Sequence, residues 1–166
     1  NAPKYTWGVK DLAKARAMLK LVRELEDERF RVVLQPRGGL DYFSHDPEKA
    51  RAQLAAVTAL MDDIEPGDDT SPPVIHVVSH SEGRGLADPE VVDESVMITR
   101  HALDQYRRLR ERGDIDDMTR HPEVAARTTE LVGEARTVLA AMGEAIGDPC
   151  TAGGLYRMLA EGYLPG

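Results

Sequence analysis

With 166 residues, of which 42% are hydrophobic and 30% charged, the chain is long enough to bury one ordinary core. A formal net charge of −8 argues against nucleic acid or an anionic membrane as the main partner. No run approaches the roughly 20 apolar residues that cross a bilayer, and the first residues lack the basic-then-apolar layout of a secretory leader, so a cytoplasmic protein is expected.

The single cysteine, Cys150, has no partner for an intramolecular disulfide and no Cys or His beside it at metal-ligand spacing, so it reads as structural and no metal site is expected. The chain opens Asn1-Ala2-Pro3 without Met, as a tag scar or a piece of something longer would. Residues 5–8 read as the tail of a strand, with Trp7 as a core or interface aromatic. A helix follows from Asp11 to about Glu26, with Leu12, Ala15, Leu19, Val22 and Leu25 on one face. Residues 30–35 are apolar and β-branched and read as a strand, closed by Pro36. Arg37-Gly38-Gly39 then places a fixed cation and two permissive glycines at that strand's end, either a ligand-facing loop or a plain turn with a solvated Arg.

Asp46-Pro47-Glu48 combines an N-cap, a first-turn proline and a first-turn acid. It opens a helix to about Ile64 with Leu54, Val57, Met61 and Ile64 on the buried face. An acidic link over residues 65–73 leads to the second β-rich run, residues 74–78, where Pro72-Pro73 blocks a helix. In that reading His76 is a satisfied core histidine. Residues 79–85 form a polar loop, and His80 and His45 lie in two loops expected to share one face. Asp88-Pro89-Glu90 repeats the helix-start signature. The helix runs to about Arg112, with Val91, Ser95, Ile98, Ala102 and Leu109 inward and Arg107, Arg108, Arg110 and Arg112 as a solvated cluster that favours the helix's negative end. Residues 113–120 are a polar turn. A helix from Pro122 to about Ile146 carries Val124, Thr128, Leu131, Ala135, Val138 and Met142 on one face, and Thr151 caps a last helix to Glu161.

Two strand, loop, capped-helix units in a row, three with residues 5–26, predict parallel strands with right-handed crossovers. The expected fold is therefore α/β, a partial (β/α) barrel over residues 3–112 with a helical C-terminal segment over 113–166, all one domain. Phosphate-loop, dinucleotide-binding, zinc-protease and serine-hydrolase motifs are absent from the sequence.

Gln35 to Gly39, Asp46 to Ala50, the alanine-rich helix to Leu60, Val74 to Gly83 and the helix after Pro89 together resemble the later βα units of the catalytic barrel of cobalamin-dependent glutamate mutase, the methylaspartate mutase large subunit. The resemblance continues through Glu123 to Gly147 and Gly154 to Pro165. It implies an isomerase that rearranges an amino-acid carbon skeleton by radical chemistry, with adenosylcobalamin as cofactor. By position it sets Arg37, Gly38 and Gly39 against the corrin ring, Glu82 on the ribose hydroxyls of the adenosyl group and Leu86 facing the corrin. Val78 stands where the family has a lysine. The cobalt-ligating Asp-x-His-x-x-Gly loop is not in the sequence, so the cofactor would arrive on a separate cobalamin-binding domain or subunit. A partial barrel would also need its missing half or a second copy to cover its edges. Related alternatives are an aminomutase-like component and a non-catalytic assembly subunit with the mutase fold.

Overall fold

The computed structural model describes residues 8–39, 43–68 and 70–164. Their regular structure is helical: α1 (Gly8–Arg23), α2 (Pro47–Asp62), α3 (Pro89–Glu111), α4 (Pro122–Ile146) and α5 (Ala152–Ala160), with one 3-10 turn at Met118–Arg120. The chain divides after Thr128 into two compact units.

The helix starts follow from local chemistry. The Asp46 carboxylate accepts from the N–H groups of Glu48 and Lys49, at 3.0 and 3.4 Å, ahead of Pro47. Asp88 does the same for Val91 at 2.8 Å ahead of Pro89, and Thr151 Oγ1 accepts from Gly154 at 3.1 Å. Each cap satisfies donors that have no partner inside the helix.

In the first unit α2 and α3 pack side by side, and their ion pairs fix the direction. Arg51 near the start of α2 meets Glu94 near the start of α3, while Asp62 at the end of α2 meets Arg107 near the end of α3. The two helices therefore run parallel, joined by the return over residues 63–88. Ala50, Leu54, Val57 and Met61 form the buried apolar face of α2. The α3 face is more polar, its buried members being Ser95 and Thr99.

A buried charge cluster locks the far end of this pair. Arg107 donates from Nε and Nη2 to Asp62 Oδ1 at 2.9 and 2.6 Å. Arg110 Nη1 reaches Asp63 Oδ1 at 2.5 Å and Asp62 Oδ2 at 3.2 Å, and the Tyr106 hydroxyl donates to Asp63. Burial pushes the Asp63 carboxyl above its ordinary pKa, opposed by the Tyr106 hydrogen bond and by Arg110. Tyr106 is raised as well, first by burial and then by Asp63. Arg16 of α1 joins the cluster through the Asp63 carbonyl, at 3.2 and 2.6 Å, and the Met118 carbonyl at 3.3 Å. The arginines expected as a solvated run thus divide. Arg107 and Arg110 hold buried carboxylates, whereas Arg108 pairs with Asp104 and Arg112 with Asp114 at the surface.

In the second unit the C-terminal part of α4 and α5 share a small core of Met142, Ile146 and Met158, with Leu164 against it. Gly154 lies where an added Cβ would overlap the Asp148 carbonyl, so α5 approaches the preceding turn as closely as a backbone allows.

The expected α/β half-barrel is not what forms. The described residues contain no strand; residues 30–35 and 74–78 are extended, but they meet at a single parallel bridge, Arg37 with His76, in which His76 N donates to the Pro36 carbonyl at 3.0 Å. Stepping two residues back along a parallel ladder would require an N–H at position 36. Pro36 has none, so pairing stops there. The strand tail expected over residues 5–8 falls, apart from Gly8, outside the described residues, as does Trp7, and Gly8 itself begins α1. His76, expected in a core, is exposed.

Candidate functional site

A concavity in the first unit arises because the apolar stripe of α1 is only half covered. Leu12, Ala13 and Ala17 are buried, but Leu19 is half-buried and Val22 and Leu25 are exposed. Helix α1 stops at Arg23, short of the expected Glu26, and the chain reverses over residues 24–30. Asp27 Oδ1 accepts from the N–H groups of Arg29 and Phe30 at 2.7 and 2.8 Å, Asp27 N donates to the Phe30 carbonyl at 3.1 Å, and Glu26 Oε1 accepts from Val32 N at 2.9 Å. Beyond this reversal residues 32–37 run extended beside α1.

The result is a groove of about 300 Å³ between α1, residues 32–37 and the C-terminal half of α2. Met18, Leu19 and Val22 line one wall, Val57, Met61 and Ile64 the floor, and Val32 to Leu34 the other wall. Because the reversal joins Val22 to Val32, that end is apolar. The far end brings Asp11 and Lys14 of α1 together with Gln35 and Arg37. Met18 is 60% and Val33 65% exposed, a concentration of uncovered apolar surface of the kind that marks interaction sites.

The backbone of the groove's outer wall is equally uncovered. Among the described residues the N–H and C=O groups of Val33, Leu34 and Gln35 enter no hydrogen bond. Arg31, Val33 and Gln35 share the exposed face of this extended run, as the period of two requires.

A second polar cluster holds the loop that begins at Ser79. His80 is only 2% exposed; its Nε2 donates to Glu94 Oε2 at 2.9 Å. Arg51 grips the same carboxylate with two bonds, Nε to Oε1 at 2.7 Å and Nη2 to Oε2 at 3.1 Å. Those bonds, Arg51 first and His80 second, pull Glu94 down to a pKa of about 2. His80 N also donates to Ser95 Oγ at 3.2 Å. The cluster ties the loop to both helices and offers a substrate no exposed imidazole.

The residues singled out from the sequence separate. Arg37 lines the groove and Gly38 and Gly39 are buried just beyond it, where a Cβ at Gly38 would make ordinary contacts with Val57 and Phe43 at 3.5 and 3.6 Å. Glu82 is exposed, its Oε1 accepting from Ser79 N at 2.9 Å within its own loop. Leu86 is fully exposed. Neither Glu82 nor Leu86 lines the groove. His45 is exposed in the segment before α2.

No known protein family, curated protein or solved structure matches the chain. The likeness to glutamate mutase is corrected on the fold: the described residues form a helical domain, not βα units of a barrel. Without the barrel, the mutase function, its isomerase activity and the related alternatives that share that fold lose their structural basis. Among the described residues, further, no group of three or more His, Cys, Asp or Glu side chains is placed to hold a metal ion. Adenosylcobalamin and a cobalamin-binding partner had no support in the chain other than that resemblance. No helix among the described residues is long and apolar enough to cross a membrane.

Proposed function

We propose that this chain is a protein-binding module that accepts an extended polypeptide segment along the edge formed by residues 33–35, seating that segment's apolar side chains in the groove beside α1. The observation that supports it is the coincidence of three unpaired backbone units, Val33 to Gln35, with the exposed apolar side chains of Val33 and Met18. An added strand satisfies the first and covers the second in one step, which is recognition by strand addition.

The magnitudes agree with that role. Fully burying a valine is worth about 1.5–3 kcal/mol, so covering the exposed 65% of Val33 contributes about 1–2 kcal/mol. Each new backbone hydrogen bond adds about 0.5–1.5 kcal/mol. Part of that total is lost to ordering both partners, leaving binding of moderate strength.

A six-residue peptide alternating valine and threonine is the probe. Its affinity should fall about fivefold or more in Val33→Asp, a substitution at an exposed position that leaves the fold intact. Equal affinity for the two proteins would refute the reading. So would an apolar dye that fills the groove in both while the peptide binds neither, since that result describes a small-molecule pocket.

A further inference from the structure

One wall of the groove is α1, the most basic helix of an acidic chain. Helix α1 carries five basic residues, Lys10, Lys14, Arg16, Lys20 and Arg23, against the single acid Asp11, whereas the whole chain is −8. Several of these cations are already committed: Arg16 to the Asp63 carbonyl and Arg23 to Glu65. Two others are not. Lys14, four residues before Met18 on the same face and itself lining the groove, is exposed, and so is Arg31, which shares the outward face of the extended run with Val33. Neither forms an ion pair among the described residues. Lys14 on one wall and Arg31, next to Val32 of the other, are thus uncommitted cations beside the uncovered apolar surface.

Taking the docking reading as its basis, we infer that the segment bound in the groove is acidic: an extended stretch of another protein whose apolar residues are flanked by Asp or Glu. Charge complementarity selects this occupant over a second copy of the chain. A two-fold antiparallel pairing of the edge with itself, centred on Leu34, would set Arg31 of each copy opposite Arg37 of the other, and like charges directly across a pairing oppose association. An acidic flank meets Lys14 and Arg31 without displacing any existing ion pair, and at a surface site its contribution fades as salt screens it.

The test uses two peptides with the same alternating valine and threonine centre, one flanked by glutamates and one by lysines, titrated against the full chain. At low salt the glutamate-flanked peptide should bind about tenfold tighter, and the preference should shrink markedly in 0.5 M salt, where the Debye length falls to only a few Å, about 3 Å at 1 M. A Lys14→Glu, Arg31→Glu variant should invert the preference. Equal binding of the two peptides, or a preference indifferent to salt and to charge reversal, overturns the acidic assignment while leaving strand docking in place. Binding of neither peptide overturns both. Sedimentation of the chain alone at the same concentration should show no self-association through this edge; a dimer abolished by Val33→Asp would assign the groove to a second copy and overturn the inference.

Discussion

Replacing Arg110 with leucine exposes the energetics of the α2–α3 pair. Arg110 is the cation shared by Asp62 and Asp63, whose side chains are 2% and 1% exposed. Its removal leaves Asp62 with Arg107 but deprives Asp63 of its only ion-pair partner among the described residues, leaving the Tyr106 hydroxyl. Breaking a buried pair from one side costs about 3–5 kcal/mol. The low end, about 3 kcal/mol, applies here because the Arg110 side chain keeps 22% of its surface in water. The pH dependence follows from the direction of the Asp63 shift. Burial raises its folded pKa above the unfolded value, so the stability linked to its protonation is fully present below the unfolded pKa and is lost as pH rises through the folded pKa. Removing Arg110 raises the folded pKa further. The cost should therefore be largest near pH 7 and shrink toward pH 4, where the carboxyl takes up a proton. Amide hydrogen exchange in the interior of α2 and α3 reads the opening free energy of this pair directly. Adding Asp63→Asn should restore most of the loss at pH 7, since no buried charge is then left alone. A cost below about 1 kcal/mol at pH 7, or one unchanged at pH 4, would refute the reasoning.

Three further outcomes are expected. Glu94 is depressed to about 2 by Arg51 and His80, so its contribution is present above the unfolded carboxylate pKa and is lost as pH falls from about 4.5 toward 2. Acid unfolding of Glu94→Gln should accordingly show a shallower loss over that interval than the parent, and parallel curves would contradict the assignment. Gly154→Ala should destabilise the second unit by about 1–3 kcal/mol, because the added methyl meets backbone that has to move; unchanged exchange rates in α5 would count against it. Asp88→Ala should cost about 1 kcal/mol through loss of the α3 cap, read as faster exchange at Val91, while Asp88→Asn should be nearly silent.

The parts of this structure legible in the sequence are those decided within a few residues. Asp46-Pro47, Asp88-Pro89 and Thr151 announce helix starts because a cap acts on N–H groups two or three positions away. The extended character of residues 30–35 and 74–78 was also legible, since β-branched side chains favour it locally. A sheet is a different matter, because it needs partners. Pro36 removes the donor that a second rung of the ladder requires, and a run of valines does not reveal whether a neighbour lies alongside. The arginines of α3 mislead for a similar reason. Arg107 and Arg110 look like a charged surface run until Asp62 and Asp63, more than forty positions earlier, are brought against them. The groove left the faintest trace: Leu19, Val22 and Leu25 continue the apolar stripe of α1, and nothing in their spacing says that the stripe stays open. Lys14 and Arg31 carried no motif at all, and their meaning comes from the uncovered apolar surface beside them.

Amide exchange at Val33, Leu34 and Gln35, measured with and without a glutamate-flanked peptide of alternating valine and threonine, tests strand docking most directly. In the free chain these three amides should exchange near unprotected rates while the interior amides of α2 and α3 exchange slowly. On saturation with peptide, a subset of the three set by the alternation of the ladder should slow by about tenfold or more, as new hydrogen bonds form along that edge. Saturable binding that leaves all three amides as fast as before would contradict the account, because the segment would then be held without using the unpaired edge.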